Sequence, residues 1–336
     1  MTATMTEVAT TDDIRDTILD ARRDGTALEV RGGGSVLDRM PGDDGAVLSV
    51  AGLTGVVDHA AEDLTITVRT GTGIDELQEV LAASGQECPI EPTDAAGSTV
   101  GGRIATGLAG PRQLGAGRVR DWVLRVRFVT GAGQVAKAGG VTVKDVTGFD
   151  LCRLMTGSWG TLGVITEVTL KLRPLARHRA WYTTTEPRHD LDGVLFRPVS
   201  LITTADRTHV LLEGHPEDAA EQAELVGLEP AERPILPTAA RAALDPARVP
   251  EFLAAIDGAG LRWAVQDGVG VCHLDGAVEG MVTARRAAEH LGGSVLILEP
   301  SLGLPAFGGS GPDPIATRVS EVLDPDDVLA PWRWSR

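Results

Sequence analysis

The chain has 336 residues, 43% of them hydrophobic, which suits a soluble globular protein of about two domains with a sizeable core. Its 31 basic against 47 acidic side chains give a net charge of −16, which excludes the broad basic face that nucleic-acid binding needs. Three widely spaced cysteines without a CxxC pair, no apolar N-terminal stretch and no apolar run of membrane length exclude a disulfide framework, a signal peptide and a membrane span. A cytoplasmic protein that meets a membrane only through partners is therefore expected.

Thr10-Thr-Asp-Asp13 has the form of a capping box with Asp in place of Glu. It opens a helix with Ile14, Ile18 and Ala21 on one face, stopped by Gly25. A short strand at 28–31 runs into Gly32, Gly33, Gly34 and Ser35. Strands follow at 47–50 and 64–69, the second alternating Ile66 and Val68 with Thr65, Thr67 and Arg69. Gly71 and Gly73 lead into a helix with Ile74, Leu77 and Leu81 at helical spacing, ended by Gly85. Leu124, Val126 and Phe128 alternate with Arg125 and Arg127, and Gly131 and Gly133 turn this strand back as a hairpin. A short helix at 150–155 precedes the glycine-rich stretch 157–163. The strand after it sets Val164, Thr166, Val168 and Leu170 on one face and is closed by Pro174. A domain boundary falls there, dividing the chain into 1–175 and 176–336. The second half is acidic and proline-rich, with helices at 219–225 and 281–291 and strands at 261–265 and 295–298. The class is α+β.

The stretch 97–107 is the most informative. Gly97, Ser98, Thr99, Gly101, Gly102, Thr106 and Gly107 are the small residues and hydroxyls that let a backbone approach a ligand and aim N–H groups at an anion. Arg103, Arg112, Arg118, Arg120, Arg125 and Arg127 lie within or just after it, against the single acid Asp121. A cationic island in an acidic chain is expected to offset a phosphorylated cofactor. Familiar nucleotide motifs are absent. No lysine follows a glycine, so there is no P-loop, and the run from Gly71 to Glu76 fails the Rossmann GxGxxG pattern at its last position. No GxSxG elbow occurs. The seven histidines form no HxH or HExxH pair, so no metal site is expected.

Three glycine clusters remain, at 32–35, 97–107 and 157–163, and each taken singly reads equally well as a plain turn. Their order and content over residues 8–175 resemble the PCMH-type FAD-binding domain of the vanillyl-alcohol oxidase superfamily. The segments 108–112, 117–121, 141–151 and 157–165 further resemble the E subunits of bacterial glycolate oxidases. The resemblance implies a PCMH-type domain of two α+β subdomains followed by a smaller α+β domain. That second domain would serve as a substrate cap or in assembly. Asp324-Pro-Asp-Asp-Val-Leu-Ala-Pro331 resembles the family's closing motif, so the last ~15 residues would return to the first domain. Trp332 and Arg333 replace its expected Gly-Arg.

By the same resemblance, Arg31, Gly32, Gly33, Gly34 and Ser35 would form one pyrophosphate loop. Residues 97–107 would form the second, with the Ser98 and Thr106 hydroxyls on the phosphates. Pro92 and Thr93 would lie beside the flavin ring. Gly157, Gly160, Thr161, Gly163, Val164 and Ile165 would make contacts, those of 160–165 through main-chain atoms. Neither loop carries the His or Cys that family members use to bond flavin, so the FAD would be non-covalent. The implied reaction is oxidation of a small 2-hydroxy acid such as glycolate or D-lactate, with a base for the hydroxyl proton and an Arg for the carboxylate. The family's histidine-rich substrate site is missing. No catalytic base is named, although Arg262, His273 and His290 are candidates whose plainer reading is surface or core. Three readings stay open. One is an FAD subunit joined to a larger FAD-containing catalytic subunit and an iron–sulfur subunit. The others are a self-sufficient dehydrogenase and a non-catalytic assembly subunit.

Overall fold

A computed structural model describes residues 5–37, 46–91, 97–141, 149–308 and 314–330. Pro92 and Thr93 lie outside the described residues, as do 142–148 of the segment 141–151.

The first elements are β1 (Met5–Glu7), α1 (Thr11–Asp24), β2 (Leu28–Arg31) and β3 (Ala46–Ser49). The strands form a parallel sheet in the order β1-β3-β2. The start of α1 is the capping box read from the sequence, with both reciprocal hydrogen bonds between Thr10 and Asp13. Gly25 closes the helix in the left-handed region, and Ile14, Ile18 and Ala21 are buried against this sheet.

A second sheet uses β4 (Val56–Ala60), β5 (Thr65–Arg69), β7 (Val123–Val129), β8 (Val135–Gly139) and β9 (Val164–Lys171). It is antiparallel in the order β4-β5-β9-β7-β8. Between these strands lie α2 (Ile74–Ala82), β6 (Gln86–Glu87), α3 (Val100–Thr106), α4 (Gln113–Ala116) and α5 (Leu151–Met155). Alternation puts Ile66, Val68, Val126, Phe128, Val168 and Leu170 on the core face with the buried side of α2 and α3. After β9 the chain does not simply stop at Pro174. Arg173–Pro174 forms β10, which pairs with β6.

The rest builds one eight-stranded antiparallel sheet from β11 (His178–Thr183), β12 (Ser200–Thr204), β13 (Thr208–Gly214), β14 (Glu229–Ala231), β15 (Ala240–Ala243), β16 (Arg262–Gln266), β17 (Val271–Asp275) and β18 (Ser294–Ile297). Helices α6 (Pro216–Val226), α7 (Val249–Ala255) and α8 (Val278–His290) cover one face, over Leu201, Val210 and Leu212 and over Ala242, Cys272 and Val295. The opposite face turns to the first half. There the Arg241 Nη1 donates to the Ala109 carbonyl at 2.8 Å, and Glu213 meets Arg112 and Arg173.

The last described helix, α9 (Pro314–Leu323), ends just before Asp324, and the chain then lies along β2. The Leu28 N–H donates to the Val328 carbonyl at 2.7 Å, and the Ala330 N–H donates to the Leu28 carbonyl at 2.9 Å. The buried Asp324 carboxylate accepts from the backbone N–H groups of Val328 and Leu329 at 3.0 and 2.7 Å. Asp324→Ala strands both donors. It is expected to lower stability by about 2–3 kcal/mol, read from a denaturant melt. No helix among the described residues is long and apolar enough to cross a membrane.

Candidate functional site

The three glycine clusters, far apart in sequence, meet at one cleft with about 650 Å3 of open space. Gly32, Gly33, Gly34 and Ser35 line it from the end of β2. Thr99, Gly101, Gly102 and Thr106 line it from the turn into α3, and Gly160, Gly163 and Ile165 from the approach to β9. Trp159, Thr70 and Val50 complete much of the wall.

Close backbone approach holds the clusters together. A Cβ on Gly33 would stand 1.7 Å from the Gly97 carbonyl oxygen, so only glycine fits there. The Ser35 and Ser98 hydroxyls share a hydrogen bond of 3.0 Å across the same junction. On the other side, the Gly157 and Trp159 N–H groups donate to the carbonyls of Ile104 and Ala105 at 3.0 and 2.8 Å. The third cluster is thus tied to the end of α3. Trp159 sits at φ 56°, a sparsely populated conformation for a bulky residue, and its ring meets Phe307 of the second half edge-on at 5.1 Å.

The remaining sequence-named residues do not line the cleft. Arg31 Nε donates to the Glu29 carboxylate at 3.0 Å. Gly97 and Ser98 buttress the first cluster, and Gly107 ends α3 in the left-handed region against Gly157. Thr161 closes its own turn on the Ser158 carbonyl at 2.7 Å, and Val164 is packed in the core with α1.

Two expectations need correction. The stretch 97–107 is not a continuous loop, because residues 100–106 form α3, capped by the Thr99 hydroxyl accepting from the Gly102 N–H at 3.2 Å. The Thr106 hydroxyl donates back to the Gly102 carbonyl at 2.8 Å, so its proton is already used. The arginine island does not face the cleft either, and none of the described lining residues is charged. Arg103 is buried and donates to the Leu108 carbonyl at 2.7 Å. Arg112 sits among carboxylates, and Arg125 and Arg127 lie on the outer side of the five-stranded sheet. What the cleft offers instead is backbone. The N–H groups of Gly32, Gly33, Gly34 and Ser35 meet no acceptor among the described residues. Backbone donors clustered in a cleft and free of protein acceptors suit a ligand rich in acceptors.

None of the three side chains weighed as a base is placed for that task. Arg262 pairs with Asp275 on the surface, and His290 is exposed at the end of α8. His273 is buried, its Nε2 accepts from Gln266 Nε2 at 2.8 Å, and it is pushed down to about 3 by burial and the nearby Arg241, so it stays neutral. Sequence reasoning missed the setting of His273. Register places Arg241, His273, Gln266, Ser200 and His209 on the sheet face turned to the first half. Ser200 Oγ, His209 Nδ1 and Gln266 Oε1 have no partner among the described residues. Burial drives the Arg241 guanidinium down to about 10, with Arg103 nearby adding to the effect. Nothing in Ala240-Arg-Ala-Ala243 distinguishes that arginine in sequence. No group of three or more potential metal ligands occurs among the described residues.

Residues 3–139 match the model of a family described as an FAD binding domain. Over 134 residues, 40% of this chain, the sequence is 44% identical to glycolate oxidase subunit GlcE of Escherichia coli (strain K12), covering 38% of that protein. It is 36% identical over 146 residues to glycolate oxidase subunit GlcD of Bacillus subtilis (strain 168), covering 43% of this chain and 31% of that one. It is 35% identical over 126 residues to D-2-hydroxyglutarate dehydrogenase of Xanthomonas citri pv. viticola, covering 38% of this chain and 27% of that one. The chain therefore matches less than half the length of each of these relatives. Among solved structures, an alkyldihydroxyacetonephosphate synthase superposes with a TM-score of 0.70 at 14% identity, over 96% of this chain and 75% of that one. That likeness shows the fold: a PCMH-type α+β arrangement.

Proposed function

We propose that this chain, which carries an FAD-binding domain over residues 3–139, is the FAD-binding subunit of a complex that oxidises glycolate or D-lactate to the 2-oxo acid. Residues 1–175 hold the cofactor, non-covalently, and 176–336 form the cap or assembly domain, apart from the closing stretch, which returns to β2 of the first domain. The observation that carries the reading is a cleft whose described lining residues are uncharged and in which four backbone N–H groups meet no acceptor among the described residues. A pyrophosphate offers the acceptors that these N–H groups suit. The Gly33–Gly97 contact leaves no room for a side chain where the cofactor must pass close to backbone. Gly32 to Ser35, Thr99, Gly101, Gly102, Gly160 and Gly163 are the residues that would hold it. The bound flavin supplies two-electron oxidation of a CH–OH group.

The chain's own share is binding, orientation and exclusion of water. The polar sheet face opposite the cleft domain carries Arg241, a guanidinium suited to a carboxylate. A proton acceptor is less evident, because His273 is held neutral and engaged by Gln266. That favours dependence on a larger FAD-containing subunit and an iron–sulfur subunit. The unpartnered Ser200 and Gln266 atoms on the same face favour the second reading, a self-sufficient dehydrogenase with its own substrate pocket.

Purifying the chain alone, releasing its flavin with acid, and assaying glycolate and D-lactate with a dye acceptor separates these readings. Flavin without turnover, with activity restored by co-expressed partner subunits, is the expected result. Flavin with turnover would establish self-sufficiency, and absence of flavin would overturn both.

A further inference from the structure

The outer face of the five-stranded sheet holds a second concavity, with about 510 Å3 of open space, built from residues other than those that line the glycine cleft. Thr67 on β5 pairs in register with Thr169 on β9, which is opposite Arg125 on β7. Arg127 on β7 faces Glu167 on one side and Lys137 on the other. All six side chains line the concavity.

Its floor is unusual. Thr67 and Thr169 are 5% and 1% exposed, and their hydroxyls are 2.8 Å apart. Arg125 Nη2 approaches the Thr67 hydroxyl at 3.4 Å as a donor. Two hydroxyls carry two protons, and their mutual bond uses one. No other acceptor for either is found among the described residues, so one buried O–H remains unspent at the bottom of the concavity. Around it stand Arg125, Arg127 and Lys137 against Glu167, which lies 3.5 Å from Arg127, and Asp58, which is opposite Thr67 in register on β4. The local balance is positive in a chain of net charge −16.

A spare donor beneath guanidinium and ammonium groups is complementary to an oxyanion. We propose that this concavity binds a small free oxyanion, a carboxylate or phosphate, at the Thr67–Thr169 floor between Arg125, Arg127 and Lys137. Such a site takes an anionic effector independently of the cofactor cleft.

The test is calorimetric titration of the flavin-saturated full-length chain with inorganic phosphate and, separately, with oxalate at low salt. Flavin saturation keeps the cleft from competing for either anion. If the chain retains no flavin, the same titration is run on it as isolated, and the variants alone decide where the anion sits. One saturable site is expected, weakened by salt and weakened about tenfold or more by Lys137→Ala and by Thr169→Val. Lys137 is exposed, so its variant reports on binding even if the buried Thr169→Val fails to fold. No saturable binding of either anion, or binding unchanged in Lys137→Ala, would overturn the proposal.

Discussion

Gly33→Ala is expected to yield a folded chain that no longer retains flavin. The added Cβ would stand 1.7 Å from the Gly97 carbonyl oxygen, 2.9 Å from its carbon and 3.3 Å from the Thr99 Cγ2. The first two are backbone atoms, so no rotamer change relieves the overlap. The two segments must separate, against the Ser35–Ser98 hydrogen bond that joins them. Overpacking of this kind costs about 1–3 kcal/mol in itself. The larger loss is in binding, because Gly32, Gly33, Gly34 and Ser35 present their N–H groups from the segment that has to move. Hydrogen bonds to a charged group are worth about 1.5–3 kcal/mol each, so misplacing two of them lowers flavin affinity by about a hundredfold or more. The readout is visible flavin absorbance per chain after gel filtration, beside a far-UV spectrum. Gly193→Ala is the control, since its Cβ would meet nothing within 4 Å. Full flavin occupancy in Gly33→Ala would show that the cofactor is not held at this junction.

Legibility in the sequence followed the locality of the cause. Helix α1 was readable because cap, apolar face and stop signal all lie within sixteen residues of chain, from Thr10 to Gly25. Strands β5, β7 and β9 were readable because one face is core and the other is polar. Helix α3 was hidden because Gly101 and Gly102 are poor helix formers. Gly101 is there for a tertiary reason: a Cβ on it would come within 2.7 Å of the Thr70 Cβ. The arginine island misled because counting charge along the chain ignores which face each residue takes. Alternation on β7 sends Arg125 and Arg127 away from Val126 and Phe128, onto the side opposite the core. In the eight-stranded sheet only β16 and β18 were read. Both faces of that sheet are covered, by helices on one side and by the first half on the other, so its strands show no clean polar–apolar alternation. Its order, β14-β11-β13-β12-β16-β17-β15-β18, joins β12 to β16 across more than fifty residues, a pairing that no local pattern encodes. The cleft was found from sequence because glycine at a close approach is a local signature. Arg241 and Gln266 were not, because their setting exists only after the sheet has formed.

Arg112→Met should produce the largest loss of stability of any single change considered. Arg112 reaches Glu87 at 2.8 Å, Glu91 at 2.5 Å and Glu213 at 3.3 Å, and its side chain is 5% exposed. Arg173 and Arg179 reach the same Glu87 and Glu213 from β10 and β11. Three carboxylates and three guanidiniums thus balance at the junction of β6, the turn before α4 and the eight-stranded sheet. This network fastens one half of the chain to the other. Removing Arg112 leaves Glu87 and Glu213 buried with two more exposed partners, and breaking a buried pair from one side costs about 3–5 kcal/mol. The expected fall in melting temperature is roughly 10 °C. Acid provides an internal check. Burial alone would raise the Glu87 carboxyl, but hydrogen bonds and charge from Arg112 and Arg179 outweigh it and hold the group at about 2, below its usual 4.5. A depressed folded value means that this stabilisation is complete above 4.5 and is lost as pH falls towards 2. In Arg112→Met the pull on Glu87 is weaker, so less remains to be lost over that window. The difference in stability between wild type and Arg112→Met should therefore be widest near neutral pH and narrow progressively below 4.5. Thermal melts of both proteins across that range measure it. A gap that stays constant down to the lowest pH at which both remain folded would mean that Arg112 acts through packing alone, and that the carboxylates around it are not what it holds in place.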